Sequence, residues 1–137
     1  MSNRDEMTTD ALRRGLALRR QVLGDDYVDD TLSTAGEIDS DFQRYITEHC
    51  WGVVWSDERL TLRERSIATL AATAALGRMD VFRIHIRGAI NNGLTTDELR
   101  ALVLHIAVYA GAPAALAAQS ALREALTGGV GEADPAT

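Results

Sequence analysis

His85 is the side chain in this sequence best suited to move a proton near neutral pH, because an imidazole titrates there without help from its surroundings. All 14 basic residues are arginines, and a guanidinium can grip a carboxylate through two parallel hydrogen bonds. Acid-base chemistry on a small anionic substrate is therefore the chemistry these residue types allow. Composition excludes several alternatives. A lysine Schiff base, either to a carbonyl substrate or to pyridoxal phosphate, cannot form, because the sequence has no lysine. The single cysteine, Cys50, permits neither an internal disulfide nor a CxxC redox pair, and it reads as a small buried residue. His49, His85 and His105 are far apart and lack the HExxH arrangement or a supporting cysteine pair, so no metal is assigned. There is no P-loop, no GxGxxG and no nucleophile elbow. His105 sits in an apolar run and reads as a core histidine, His49 as a partly exposed one.

The element that must position His85 is the stretch HIRGAINNGLTTDEL at 85–99. Helical spacing lets Ile84, Ala89 and Ile90 share a buried stripe while His85 and Arg87 point elsewhere, so that the polar residues edge a core. Asn91, Asn92 and Gly93 stop this helix, since Asn and Gly tolerate the left-handed backbone common at a helix C-terminus. A new helix starts at once, with Thr95 as N-cap and Glu98 placed to complete a capping box.

The 137 residues and 14.9 kDa suit one domain with a real core. Residues 9–127 are expected to form that domain, residues 1–8 a flexible N-terminus and residues 128–137 a disordered tail. Hydrophobic residues reach 46% while aromatics are only 5%, with alanine abundant, which favours close helix packing and an all-α fold of about six helices. The net charge of −6 and pI near 5.0 argue against a nucleic-acid partner. Neither a signal core nor a membrane-length apolar run is present, and a cytoplasmic location is expected, with no membrane partner.

In chain order, Leu12, Leu16, Arg19, Arg20 and Leu23 recur at helical spacing from Thr9 onward, and Gly24 supplies the stop. The acidic stretch 25–39 reads as an extended surface connection. Ser40 and Gln43 have capping-box spacing and predict a helix from about Asp41 to Gly52. Trp51 and Trp55 then flank a short apolar run, a pattern that suits a core or an interface between copies. Thr61 and Glu64 head the helix TLRERSIATLAATAALG, which Gly77 closes. Helices follow over 79–91 and 96–110, the latter burying Leu99, Leu102, Val103, Ile106 and Ala107. A last alanine-rich helix starts after Gly111 with Pro113 in its first turn.

Five blocks, VLG at 22–24, WGVVW at 51–55, RERSIATLAATAALGR at 63–78, HIRGAINNGLT at 85–95 and VLHIAVYAGAPAA at 103–115, resemble the 4-carboxymuconolactone decarboxylase family in order and spacing. The resemblance extends from about residue 11 to residue 126. It implies an all-α, alkylhydroperoxidase D-like bundle assembled into a ring-like homo-oligomer, a hexamer or trimer. It also implies cofactor-free decarboxylation of 4-carboxymuconolactone to the 4-oxoadipate enol-lactone, in the β-ketoadipate route of aromatic catabolism. The wider superfamily uses a CxxC pair for thiol peroxidase chemistry. Here Arg78 and Val81 hold the cysteine positions and Ser66 stands at the glutamate position, which removes that activity.

Carried onto this sequence, the resemblance makes His85 the proton donor and gives Arg65, Arg20 and Arg63 the carboxylate or enolate charge. Trp55, Ser66, Asn92 and Tyr109 are expected to line the substrate pocket. One departure stands out: the family usually has a histidine after VLG, in a stretch like VLGDAHVD, whereas this chain reads VLGDDYVD and places Tyr27 there. Tyrosine can donate a proton but offers no cation at neutral pH. Two other readings stay open beside the decarboxylase. One is a diverged enzyme acting on another cyclic lactone or ketone in specialised metabolism; the other is a non-catalytic, oligomeric ligand-binding protein.

Overall fold

The computed structural model describes residues 3–128. They form seven α-helices and one π-helix, with no strand among the described residues. None of these helices is long and apolar enough to cross a membrane. The helices gather into two compact units, one ending at Leu62 and the other beginning at Arg63.

The first unit holds α1 (Asn3–Leu23), α2 (Asp25–Ser33), α3 (Glu37–Tyr45) and the π-helix (Ile46–Val54). Helix α1 begins at Asn3, ahead of the expected Thr9; residues 1 and 2 of the expected flexible N-terminus lie outside the described residues. Two glycines decide how α1 meets the π-helix. A Cβ on Gly15 would lie 1.9 Å from the Thr47 carbonyl oxygen, and one on Gly52 would lie 2.1 Å from the Ala11 carbonyl oxygen. Backbone therefore rests on backbone, with no side chain between. Arg14 completes the contact by donating from Nε and a terminal nitrogen to the Gly52 carbonyl, at 3.0 and 2.8 Å. Arg19 is buried beside it and donates to Thr47 Oγ1 at 3.0 Å and to Gln43 Oε1 at 2.8 Å. Val22, Leu23, Val28, Trp51 and Trp55 supply the apolar core of this unit.

Here the structure corrects four expectations. The acidic stretch 25–39 is not an extended connection: it contains α2 and the start of α3. Asp25 and Asp26 occupy the first turn of α2, where carboxylates favour the helix dipole, and Val28 is fully buried. Helix α3 starts at Glu37 rather than Asp41, with Gly36 as N-cap, so Ser40 lies inside the helix and donates its N–H to the Gly36 carbonyl at 2.9 Å. The predicted helix to Gly52 changes character midway. From Ile46 its hydrogen bonds run from residue i to i+5, as in Trp55 N–H to Cys50 C=O at 2.8 Å, a rare geometry that often marks functional segments. Its wider turn stacks Trp51 on Trp55, ring centroids 4.6 Å apart. Cys50 within it is half-buried, not fully buried, and His49 is exposed with its ring against Tyr45.

The second unit contains α4 (Leu62–Ala75), α5 (Met79–Asn91), α6 (Thr96–Ala110) and α7 (Ala112–Leu126). Its core is one continuous apolar cluster. Leu70 and Ala74 come from α4, Phe82, Ile86 and Ala89 from α5, Leu99, Val103 and Ile106 from α6, and Ala115, Ala118, Ala121 and Leu122 from α7. The alanines recur at three-residue steps along α7, so its buried face is flat and lets α5 and α6 pack close. Leu102 and Ala107 are partly buried against the same core, as the spacing on α6 predicts.

Two faces differ from expectation. On α5 the buried stripe runs through Phe82, His85, Ile86 and Ala89 while Ile90 is exposed; it is rotated from the stripe drawn through Ile84 and Ile90, and His85 lies within it. His105 is exposed rather than a core histidine, because the buried residues of α6 at 99, 103 and 106 turn position 105 outward. The tail expected over 128–137 lies, from residue 129 on, outside the described residues.

Candidate active site

Helix α5 carries His85 and ends in the turn that carries Asn92. Phe82, Ile86 and Ala89 anchor the helix in the core, and His85, one helical turn from Phe82 and Ala89, is drawn in with them to 9% exposure. Burial disfavours the charged ring and pushes its pKa down to about 4. His85 is therefore neutral at pH 7 in the protein without substrate.

The end of α5 is fixed by its own backbone. Gly93 N–H bonds Ile90 C=O and Leu94 N–H bonds Ala89 C=O, both at 3.0 Å, the paired pattern of a Schellman motif. Gly93 has φ +96°, a conformation in which only glycine is unstrained. The expected capping box then starts α6. Glu98 N–H bonds Thr95 Oγ1 and Thr95 N–H bonds Glu98 Oε1, each at 3.1 Å.

Helix α4 reaches this turn at two points. Asn92 Nδ2 donates to Ser66 Oγ at 2.9 Å, and Ser66 is fully buried. Arg63, one helical turn before Ser66, donates to the Gly93 carbonyl at 2.6 Å and pairs with the Glu98 carboxylate. Arg63 and the Thr95 backbone hold that carboxylate below the usual range. Arg65 lies between these two residues in sequence and is half-buried. Of the residues singled out in the sequence, this unit thus brings Arg63, Ser66 and Asn92 to one turn, Arg63 bonded to Gly93 and Ser66 to Asn92, and carries His85 on α5 two turns before Asn92.

Tyr109 is not part of that set. It is 80% exposed on α6, with its ring 4.8 Å from that of His105.

The remaining candidates belong to the first unit. Tyr27 is half-buried on α2, close enough to Arg19 to favour its charge, although burial outweighs this and lowers the Arg19 pKa. Arg20 is engaged by α2: it bonds Asp29 at 2.7 Å and Asp25 at 3.4 Å, and the Asp29 contact raises its pKa. Trp55 is buried against Trp51 and edges an open groove of about 550 Å³ that Arg14, Gln21, Ser56 and Thr61 also line. That volume suits a small molecule. Arg14 and Gln21 are polar residues that sequence reasoning missed; their i, i+7 spacing puts them on one face of α1. Among the described residues no group of three His, Cys, Asp or Glu side chains is placed to hold a metal ion.

A model of the carboxymuconolactone decarboxylase family matches residues 40–124. The chain is 43% identical over 112 residues to the 4-carboxymuconolactone decarboxylase of Acinetobacter baylyi, covering 82% of this chain and 84% of that protein. It is also 39% identical over 114 residues to nitrosuccinic acid decarboxylase npaB of Metarhizium robertsii, covering 83% of this chain and 80% of that protein. The all-helical fold, the extent of these matches and the family model together mean that this chain belongs to the carboxymuconolactone decarboxylase family.

Proposed function

We propose that this protein decarboxylates 4-carboxymuconolactone to the 4-oxoadipate enol-lactone, a step of the β-ketoadipate route of aromatic catabolism, without a cofactor. The observation that carries this reading is the 43% identity to an enzyme named for that reaction across more than four-fifths of both chains. The chemistry is consistent with the residues. As carbon dioxide leaves, the bond from the ring carbon to the carboxylate breaks and its electron pair moves through the ring alkene to the lactone carbonyl oxygen. The substrate is its own electron sink, so neither lysine nor an organic cofactor is required. The protein has to hold the anion, stabilise the dienolate and return one proton to carbon.

His85 is our proton donor. It is neutral before substrate binds, and a carboxylate brought beside it raises its pKa because an opposite charge favours the imidazolium. The proton is thus acquired with the substrate and passed to the dienolate, a step of general acid catalysis that typically contributes ~10²–10⁴-fold. Arg65 holds carboxylate charge, and Asn92, itself held by the buried Ser66, orients the ring. Arg20 and Arg63, named from the sequence for the same task, have carboxylate partners within the chain. Trp55, Tyr27 and Tyr109 are the further candidates that the sequence offers for contact with substrate.

A second reading has its own support. The relative named for nitrosuccinic acid is nearly as similar as the first, and Tyr27 replaces a histidine usual in the family. A substrate other than the lactone, again an acid whose loss of carbon dioxide leaves a delocalised electron pair, fits that replacement. Ultraviolet-monitored turnover of freshly generated 4-carboxymuconolactone, run beside carbon dioxide release from nitrosuccinate, separates the two. Turnover of the lactone alone supports the first reading; release from nitrosuccinate alone supports the second.

We also propose that the protein acts as a cytoplasmic homo-oligomer, a ring of six or three. Leu104, Val108 and Leu116 on α6 and α7 are each at least 70% exposed in the single chain, an apolar face that association would cover. Light scattering that reads a monomer at micromolar concentration contradicts this.

A further inference from the structure

Arg63 has the wrong partners for a substrate ligand and the right ones for a brace. Its guanidinium spans two groups on opposite sides of the α5–α6 turn: the Gly93 carbonyl, bonded at 2.6 Å, and the Glu98 carboxylate, which also accepts from the Thr95 amide in the capping box. One helical turn further along α4, Ser66 takes the Asn92 side chain at 2.9 Å. Helix α4 therefore grips consecutive residues of one turn from two positions on the same face, i and i+3. The planar fork of arginine suits this task because it offers two donors in fixed relative directions, which a lysine ammonium does not.

The turn needs such support. Gly93 stands at φ +96° between Asn92, whose N–H bonds the Gly88 carbonyl at 2.9 Å, and Leu94, which is buried in the core; these contacts fix the backbone, and the direction of the Asn92 side chain depends on what else fixes residues 92–94.

We propose that Arg63 is a positioning residue: by tying the Gly93 carbonyl to Glu98, it locks the α5–α6 turn so that Asn92 faces Ser66 and the end of the His85 helix stays in register. This rests on the decarboxylase reading only for its catalytic consequence; the structural lock stands apart from it.

The test compares the native protein with Arg63→Met, Arg63→Lys and Glu98→Gln. Glutamine at position 98 can still complete the capping box but lacks the charge that Arg63 pairs with, so it provides a folded variant should Arg63→Met fail to fold. Without any substrate, the Gly93 and Leu94 amides are expected to exchange hydrogen at least tenfold faster in Arg63→Met, and the Asn92 side-chain amide resonance to move. Arg63→Lys recovers part of both, and Glu98→Gln shows the same changes in smaller degree. In turnover of 4-carboxymuconolactone, Arg63→Met lowers kcat at least tenfold and changes KM less than threefold.

Unchanged exchange and an unmoved Asn92 resonance overturn the lock. A tenfold rise in KM with kcat intact overturns it in favour of a substrate ligand. Altered exchange with unaltered kcat overturns the positioning role. Should the native protein leave the lactone unchanged, the decarboxylase reading falls, while the exchange and resonance measurements still decide whether Arg63 holds the turn.

Discussion

Each of the two units of this chain is held together internally, and the physics differs between them. Up to Leu62, the dominant contact is backbone against backbone, made possible by Gly15 and Gly52 and sealed by the buried side chains of Arg19 and Thr47. From Arg63 on, four amphipathic helices share one apolar cluster of leucine, isoleucine, phenylalanine and alanine. The difference teaches where each unit is fragile. A close-approach contact fails if a single carbon is added, whereas an apolar core fails if carbons are removed or a charge is forced into it.

The largest expected effect follows from the first kind of contact. In Gly52→Ala the new Cβ would sit 2.1 Å from the Ala11 carbonyl oxygen and 2.8 Å from its carbonyl carbon. These are backbone atoms of a helix and cannot swing aside. A loss of about 3 kcal/mol or more is expected, read as a fall in the urea midpoint together with loss of the near-ultraviolet signal from Trp51 and Trp55. A change under about 0.5 kcal/mol contradicts the backbone contact.

The next effect probes the second unit through its buried imidazole. An unfolded chain binds a proton at His85 below the ordinary pKa of about 6.5, whereas the folded chain does so only at about 4. The unfolded state thus holds more protons in this window, so stability falls as the pH drops from about 6.5 and stops falling on this account below about 4. The whole difference is worth about 3 kcal/mol. Carboxylates titrate over the same range, so the measurement is the difference between native protein and His85→Gln, whose stability should decline less steeply on acidification. Parallel curves contradict the burial of His85.

A smaller effect tests the turn between α5 and α6. Space is not the obstacle at Gly93, where an added Cβ comes no nearer than 3.7 Å to Arg63. The positive φ is, so Gly93→Ala is expected to cost about 1–2 kcal/mol. Thr95→Ala, which removes the N-cap oxygen of α6, is expected to cost about 1 kcal/mol.

The same contrast explains what could be read from the sequence. The helices over 79–91 and 96–110 and the capping box at Thr95 and Glu98 were legible, because glycine stops, cap residues and a period of 3.6 are local signals. Helix α2, the start of α3 and the π-helix were not. Nine-residue helices offer too few turns for a period to stand out, even though Ile38, Phe42 and Tyr45 keep helical spacing on α3, and α2 is held by Val28 and by Arg20 across the Gly24 turn rather than by its own propensity. His85 stood out in the sequence as a titratable residue, but its burial was not legible, since Ile84 and Ile90 offered an equally good stripe in one dimension. The Ser66–Asn92 and Arg63–Gly93 bonds join residues 26 and 30 positions apart, and no local pattern announces them. Arg19 and Arg20 are adjacent, and only the fold decides that the first is buried against Thr47 while the second meets Asp25 and Asp29.

The central claim is that His85, neutral and buried before substrate binds, returns the proton after carbon dioxide leaves. It is tested most directly by single-turnover decarboxylation of 4-carboxymuconolactone with native protein and His85→Ala. The account predicts that the variant folds, still binds the lactone and loses ~10²–10⁴-fold in rate. A folded variant with undiminished turnover would contradict it and move the proton transfer to another residue, Tyr27 first.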